Sequence, residues 1–275
     1  MILLNGKIVS DYIKESLKEK NINKSKLTLA VIQVGDDPAS SVYVNNKRKA
    51  CEYVGIEFKH IKFTEEVDNF TILNTIDELN ADNDITGILV QLPLPKHLDE
   101  EYICAQILPS KDVDGFHEIN MGKLTLGKSG LVPCTPKGII DLLKYYNVQI
   151  EGKECVVVGR SNIVGKPMAL LMLQENATVT ICHSKTKNLK EICQKADILI
   201  CAIGKPKFFT KDYVKEGAIV VDVGIHRQDN GKLCGDVDFE DVKDYVAGIT
   251  PVPGGVGPMT VAELVKNCVE AANER

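Results

Sequence analysis

In the segment SSVYVNNKRKACEYVGI, Ser40, Tyr43 and Lys47 are spaced i, i+3, i+7. On a helix that spacing puts a hydroxyl, a phenol and an amine on one face. A lysine beside a phenol in a partly dry cleft is equipped for proton transfer; a surface lysine touching a tyrosine ring has the same spacing. Lys49 lies off that face, which leaves Lys47 as the candidate for chemistry. Gln91 ends the apolar run GILVQLPLP, and Pro93 and Pro95 stiffen the exit. The end of a parallel strand is where α/β sheets place ligands, and an amide there can hold an ammonium group or position a water.

The run KDVDG offers carboxylates. A calcium loop needs a glutamate at its twelfth position, and counting from Asp112 reaches Lys123. Two carboxylate oxygens instead match the two parallel N–H groups on the amidine-like edge of a pterin ring. Asp114 is the candidate for that pairing, with Asp112 left to cap or turn the chain. The Gly- and Pro-rich run PVPGGVGPMT lets backbone approach a flat ligand closely, which makes Pro253 and Gly254 substrate candidates.

A second constellation follows the apolar run KECVVVG (153–159), which leads into GRSNIVGKP. Gly159, Ser161 and Gly165 there sit between an expected strand and an expected helix. A tight turn at that place admits a pyrophosphate against helix N–H groups. The pattern departs from GxGxxG, since Ser161 replaces the second glycine and the last glycine comes one residue late. A Walker loop fits worse, because Lys166 is followed by Pro167 where a magnesium-binding hydroxyl is needed. The next strand ends CHSKT and lacks the acid that binds a ribose 2′-hydroxyl in NAD enzymes. Arg160, Ser161 and Ser184 suit a 2′-phosphate instead, which points to NADP. Tyr43 and Lys47 also match the YxxxK pattern of short-chain dehydrogenases, but there the glycine turn precedes the motif and here it follows, so the order excludes that family.

The elements that must carry these residues read as alternating strands and helices. Expected strands cover 26–34, 57–63, 86–94, 153–159, 177–184, 196–204 and 218–225, with amphipathic helices around 40–54 and 70–80. Such alternation implies parallel sheets covered by helices. The fold class is therefore α/β in two domains, one of residues 1–140 plus 261–275 and a Rossmann-type one of residues 141–260. Thr260 and Glu263 have the spacing of a capping box at the start of a last helix. The formal net charge of −5 argues against nucleic acid as a partner. No apolar run approaches a membrane span, no signal peptide opens the chain, and the nine cysteines form no CxxC pair. A cytoplasmic protein with reduced, buried thiols and no metal is expected.

Together, SSVYVNNKRKACEYVGI, GILVQLPLP, PSKDVDGFH, PCTPKG, GRSNIVGKP, CHSKT, VVDVGI, GDVDF and PVPGGVGPMT resemble, in order and over nearly the whole chain, the methylenetetrahydrofolate dehydrogenase/cyclohydrolase family. The resemblance implies NADP-dependent oxidation of 5,10-methylenetetrahydrofolate, then hydrolysis to 10-formyltetrahydrofolate. It implies Lys47 as the key catalytic group, Tyr43 stacked on the folate, Gln91 tuning the lysine, and Asp114 on the pterin. It also implies NADP on the GRS and CHS segments with Ile225 beside it, an active site in a cleft between the domains, and a homodimer. Two other readings share the motifs: a dehydrogenase without cyclohydrolase activity, and a non-catalytic NADP-binding regulator. Retention of Lys47, Tyr43 and Gln91 argues against the first, and a fully equipped folate site against the second.

Overall fold

The computed structural model describes residues 1–21 and 26–273. The chain begins with β1 (Ile2–Leu3), α1 (Gly6–Asn21), β2 (Thr28–Val34), α2 (Pro38–Val54), β3 (Glu57–Phe63), α3 (Asn69–Ala81) and β4 (Gly87–Val90). Next come α4 (Glu100–Ala105), α5 (Glu118–Thr125), α6 (Cys134–Tyr145), β5 (Glu154–Val158), α7 (Gly165–Gln174), β6 (Thr178–Cys182) and α8 (Leu189–Cys193). The chain closes with β7 (Ile198–Cys201), β8 (Ile219–Asp222), β9 (His226–Arg227), β10 (Leu233–Cys234), α9 (Phe239–Val242), β11 (Gly248–Ile249) and α10 (Val256–Asn273).

These elements form two compact units, residues 11–134 with 261–275 and residues 1–10 with 135–260. The sequence reading put residues 1–10 and 135–140 on the other side of that division. The first ten residues belong where they do because β1 pairs in parallel with β11.

The first unit is built on a three-stranded parallel sheet in the order β3-β2-β4. All seven residues of β2 are buried, which is why TLAVIQV reads as a largely apolar run rather than an alternating one. One face packs Leu29, Val31 and Leu89 against Val44, Cys51 and Val54 of α2 and against Leu264, Val265 and Cys268 of α10. The other packs Ala30, Ile32 and Val34 against Ile72, Ile76 and Leu79 of α3 and against Ile103 of α4. The second unit holds a six-stranded parallel sheet in the order β1-β11-β8-β7-β5-β6.

Two details differ from the sequence reading. The apolar run at 86–94 is a strand only over Gly87–Val90, because the ladder to β2 stops there. The capping box at Thr260 does not form: α10 already starts at Val256, so Thr260 lies inside the helix, with its hydroxyl 2.9 Å from that of Thr135. Pro258 is tolerated because its missing N–H falls in the first turn, where no intrahelical partner exists.

The turn after α4 is pinned from three sides. Ile88 donates its N–H to the Lys111 carbonyl at 2.8 Å, and a single parallel bridge joins Ile88 to Asp112. The buried Lys111 ammonium donates to the carbonyls of Leu79, Asn80 and Asp82 at 2.8, 2.8 and 2.6 Å, closing the end of α3. From α10, the buried Asn267 amide donates to the carbonyls of Val113 and Val132 at 2.8 and 2.9 Å. Replacing Asn267 with Leu leaves both carbonyls without that donor, at a cost of about 2–3 kcal/mol. Urea unfolding should show that loss; a change below about 0.5 kcal/mol would mean that other groups replace the amide.

Candidate active site

Helix α2 presents the first constellation. The Asp37 carboxylate caps it by accepting the Ser40 N–H at 2.7 Å, Pro38 opens its first turn, and Gly55 ends it with φ of 83°. A hydrogen-bond chain fixes its side: the Gln33 amide donates to the Ser41 hydroxyl at 3.2 Å, the His60 ring meets Gln33 at 3.0 Å, and Arg48 meets the other ring nitrogen at 3.1 Å. Burial and the charges of Arg48 and Lys62 hold the His60 imidazole below its usual range. The ring is therefore neutral, accepting from Arg48 and donating to Gln33.

With the helix so set, Lys47 Nζ donates to Oε1 of Gln91 at 2.9 Å. Gln91 Nε2 donates to the Leu92 carbonyl at 2.7 Å, which decides the end of the amide that faces the lysine. Ser40 is buried at 5% exposure, whereas the Tyr43 side chain is 39% exposed. The Tyr43 phenol makes no hydrogen bond among the described residues.

Asp112 turns the chain by accepting from the N–H groups of Gly115 and His117 and from the Asn120 amide. Asp114 is partly buried and makes no hydrogen bond among the described residues. Burial pushes its carboxyl up to about 6, the Lys47 charge draws it down, and the Asp112 charge pushes it up. Ser40, Tyr43, Lys47, Gln91 and Asp114 all lie in the three-stranded unit. Pro253 and Gly254 lie in the other unit, in the loop before α10, where the Gly254 carbonyl accepts the Lys7 N–H at 3.1 Å.

The second constellation occupies the C-terminal edge of the six-stranded sheet. Its turn is closed too tightly for side chains: a Cβ on Gly159 would lie 2.3 Å from the Ala202 carbonyl oxygen, and one on Gly165 would lie 2.3 Å from that of Gly159. The Ser161 hydroxyl accepts the N–H groups of Val164 and Gly165 at 3.2 and 3.3 Å. The helix's own first donors are therefore occupied, unlike the arrangement anticipated from the motif. The N–H groups of Arg160, Ser161, Asn162 and Ile163, just upstream, donate to no acceptor among the described residues. Four adjacent unpaired donors at a strand-to-helix turn fit a pyrophosphate. Arg160 and Ser184 are exposed, at the ends of β5 and β6.

A cavity of about 220 Å³ opens at the ends of β5, β7 and β8, lined among others by Ser161, Val164, Ala202, Gly204, Ile225 and His226. It joins two of the expected cofactor residues, Ser161 and Ile225. A larger hollow of about 310 Å³, bordered by Tyr146, Lys153, Asp197 and Lys215, faces the N-terminal ends of the same strands. In parallel sheets ligands bind at the opposite edge, so the smaller cavity is the candidate.

Sequence reasoning missed the carboxylates behind that cavity. Asp236, fully buried, accepts the N–H groups of Ile203, Gly204 and Lys205 and a hydrogen bond from His226 Nε2 at 2.8 Å. Asp222 accepts the N–H groups of Gly224, Asp236 and Val237. Burial pushes Asp222 up to about 6 against the pull of those donors. An acid inside the apolar run VVDVGI was the available signal. All nine cysteines are free and all but Cys104 are buried. No group of side chains suited to a metal ion occurs among the described residues.

Two family models match the chain: the tetrahydrofolate dehydrogenase/cyclohydrolase catalytic domain over residues 4–114, and the NAD(P)-binding domain of the same name over residues 133–275. The bifunctional protein FolD of Agathobacter rectalis is 61% identical over 273 residues, covering 98% of each chain. The crystal structure of the bifunctional FolD enzyme from Campylobacter jejuni is 51% identical, with a TM-score of 0.98 over 100% of this chain and 99% of that one. The Trypanosoma brucei FolD structure, complexed with NADP cofactor and inhibitor, is 34% identical, with a TM-score of 0.93 over 100% and 98% of the two chains.

The raised Asp114 carboxyl sets a sign for stability. Its folded value of about 6 lies above the ordinary carboxylate value of 3.8, so between these values the folded state holds more protons and stability falls as pH rises. Above pH 6 the full penalty is present. Asp114→Asn removes it, so the variant should be more stable than the parent at pH 7.5, by up to about 2–3 kcal/mol, with the gap closing near pH 4. Unfolding curves at both pH values check this; a gap independent of pH would contradict it.

Proposed function

The chain belongs to the tetrahydrofolate dehydrogenase/cyclohydrolase family, and from that premise we propose how its own residues divide the work. The enzyme oxidises 5,10-methylenetetrahydrofolate to the methenyl form with NADP and hydrolyses that product to 10-formyltetrahydrofolate. NADP, when bound, supplies the two-electron acceptor for the methylene carbon. The donors of residues 160–163 hold its pyrophosphate, and Arg160, Ser161 and Ser184 hold its 2′-phosphate.

On the folate side, Asp114 grips the pterin N–H edge, Tyr43 stacks on the ring system, and Ser40 lines the same helix face. The observation that carries this reading is the 2.9 Å bond from Lys47 to Gln91. It fixes one amine at the end of β4, aimed by an amide whose other end is already tied to backbone. In hydrolysis, water adds to the methenyl carbon, the bond from that carbon to N5 breaks, and the formyl group stays on N10. The water oxygen becomes the formyl oxygen and so loses both protons. Lys47 Nζ passes one to the departing N5, the other is released to solvent as the cationic methenyl substrate becomes a neutral product, and Gln91 holds Nζ in line. No metal takes part in this scheme.

A homodimer in the cytoplasm completes the proposal. β6 is an open edge of the six-stranded sheet, Ile181 on it is 44% exposed, and Leu173 of α7 is 59% exposed. No helix among the described residues is long and apolar enough to cross a membrane. Light scattering should give twice the 30.2 kDa chain mass; a monomer at micromolar concentration would remove the dimer from the scheme.

Lys47→Met keeps much of the apolar stem and removes the proton carrier. Its hydrolysis of methenyltetrahydrofolate, followed by the absorbance of that species, should fall about 10²-fold or more. Hydrolysis at the parent rate would show that Lys47 carries no proton.

A further inference from the structure

The cavity at the ends of β5, β7 and β8 contains a titratable side chain with no role in the scheme above. His226 follows Ile225 on the wall, and its side chain is 21% exposed, whereas its partner Asp236 is fully enclosed. Asp236 takes three backbone donors from the loop after β7 besides the ring. The carboxylate is thus held on both oxygens and holds the ring in turn. A carboxylate can only accept, so Nε2 carries the proton that faces it. In the neutral tautomer this leaves Nδ1 as the acceptor, and no partner for it occurs among the described residues. One ring nitrogen committed to a buried acid and the other unsatisfied beside a cavity is the arrangement of an oriented binding group.

The sheet order says which part of a dinucleotide reaches it. β5 lies between β6 and β7, and β8 lies beyond β7. The pyrophosphate donors sit at the end of β5, and Arg160 and Ser184 put the adenosine 2′-phosphate towards β6. The other half of the cofactor must therefore extend over the ends of β7 and β8, where His226 stands. That half ends in a nicotinamide whose carboxamide carries N–H donors. We propose that His226, oriented by Asp236, accepts a hydrogen bond from the nicotinamide carboxamide and so sets the ring's orientation. The inference rests on the NADP reading above and adds a positioning residue to it.

Calorimetric titration with NADP and with its 3-acetylpyridine analogue, which lacks the amide N–H, tests the assignment in three proteins. The parent should bind NADP more tightly than the analogue. His226→Phe should weaken NADP binding about five- to tenfold, the scale of one lost hydrogen bond, and should abolish the preference for NADP. His226→Gln keeps a donor for Asp236 and an acceptor for the ligand, and it should recover most of both. Melting temperatures of the three proteins without cofactor report whether the fold is kept. Parent-like NADP binding by a folded His226→Phe overturns the proposal. So does equal weakening for NADP and the analogue, which would place the contact on a ribose hydroxyl or on the fold itself. A parent that binds neither nucleotide would remove the NADP reading, and this result is distinct from the other two.

Discussion

Parallel pairing constrains everything else in each unit. When strands run the same way, all their C-terminal ends reach one edge, and the backbone stays tied sideways until that edge is reached. Gln91 is the first residue past β4, and its N–H still donates to the Ile32 carbonyl at 2.8 Å. Its side chain leaves the sheet where the main chain is ordered and the core has ended. In the other unit Gly159 stands in the same relation to β5, Ala202 to β7 and Val223 to β8. One residue earlier the positions are closed, with Val90 4%, Val158 1% and Cys201 0% exposed. Gln91, Gly159 and the cavity-lining Ala202 and Val223 are the first step beyond the core, and strand length selects them.

The rest of the chain sets the angle at which those positions are used. Helix α2 carries the candidate amine, and the hydrogen-bond chain from Ser41 through Gln33 and His60 to Arg48 resists a roll of that helix. The turn bearing Asp114 is held by β4, by the end of α3 and by α10. These supports use buried polar groups, which are costly unless satisfied. They are placed where a small rotation would displace the candidate groups Lys47 and Asp114.

Much of this was legible in the sequence for a definite reason. Strands buried on both faces leave largely apolar runs, and the edge strand β3 leaves a mixed one, EFKHIKF. The spacing of Ser40, Tyr43 and Lys47 needed only helical periodicity. The start of α10 was misread because Thr260 and Glu263 imitate a cap, while the true start lies among glycines and a proline that look like loop. The two-residue strands β1, β9, β10 and β11 have no period to detect. The pairing of His226 with Asp236 was invisible because a hairpin separates residues ten positions apart. Asp222 and Asp236 also needed room that sequence does not announce: a Cβ on Gly235 would lie 1.9 Å from an Asp222 oxygen.

The residues assigned to folate chemistry at Lys47, Gln91 and Asp114 fall in one folding unit, and those assigned to the nucleotide at 159–165, 184 and 225 fall in the other. Heritable variation can therefore act on the two groups separately. Under the proposed assignment, a lineage that alters the loop after β6 retunes coenzyme choice while Lys47 and Gln91 keep their own supports. A lineage that loses the amine at position 47 leaves the supports of the nucleotide unit unchanged, because none of them comes from α2. Selection can thus split or retune the two activities by short mutational paths.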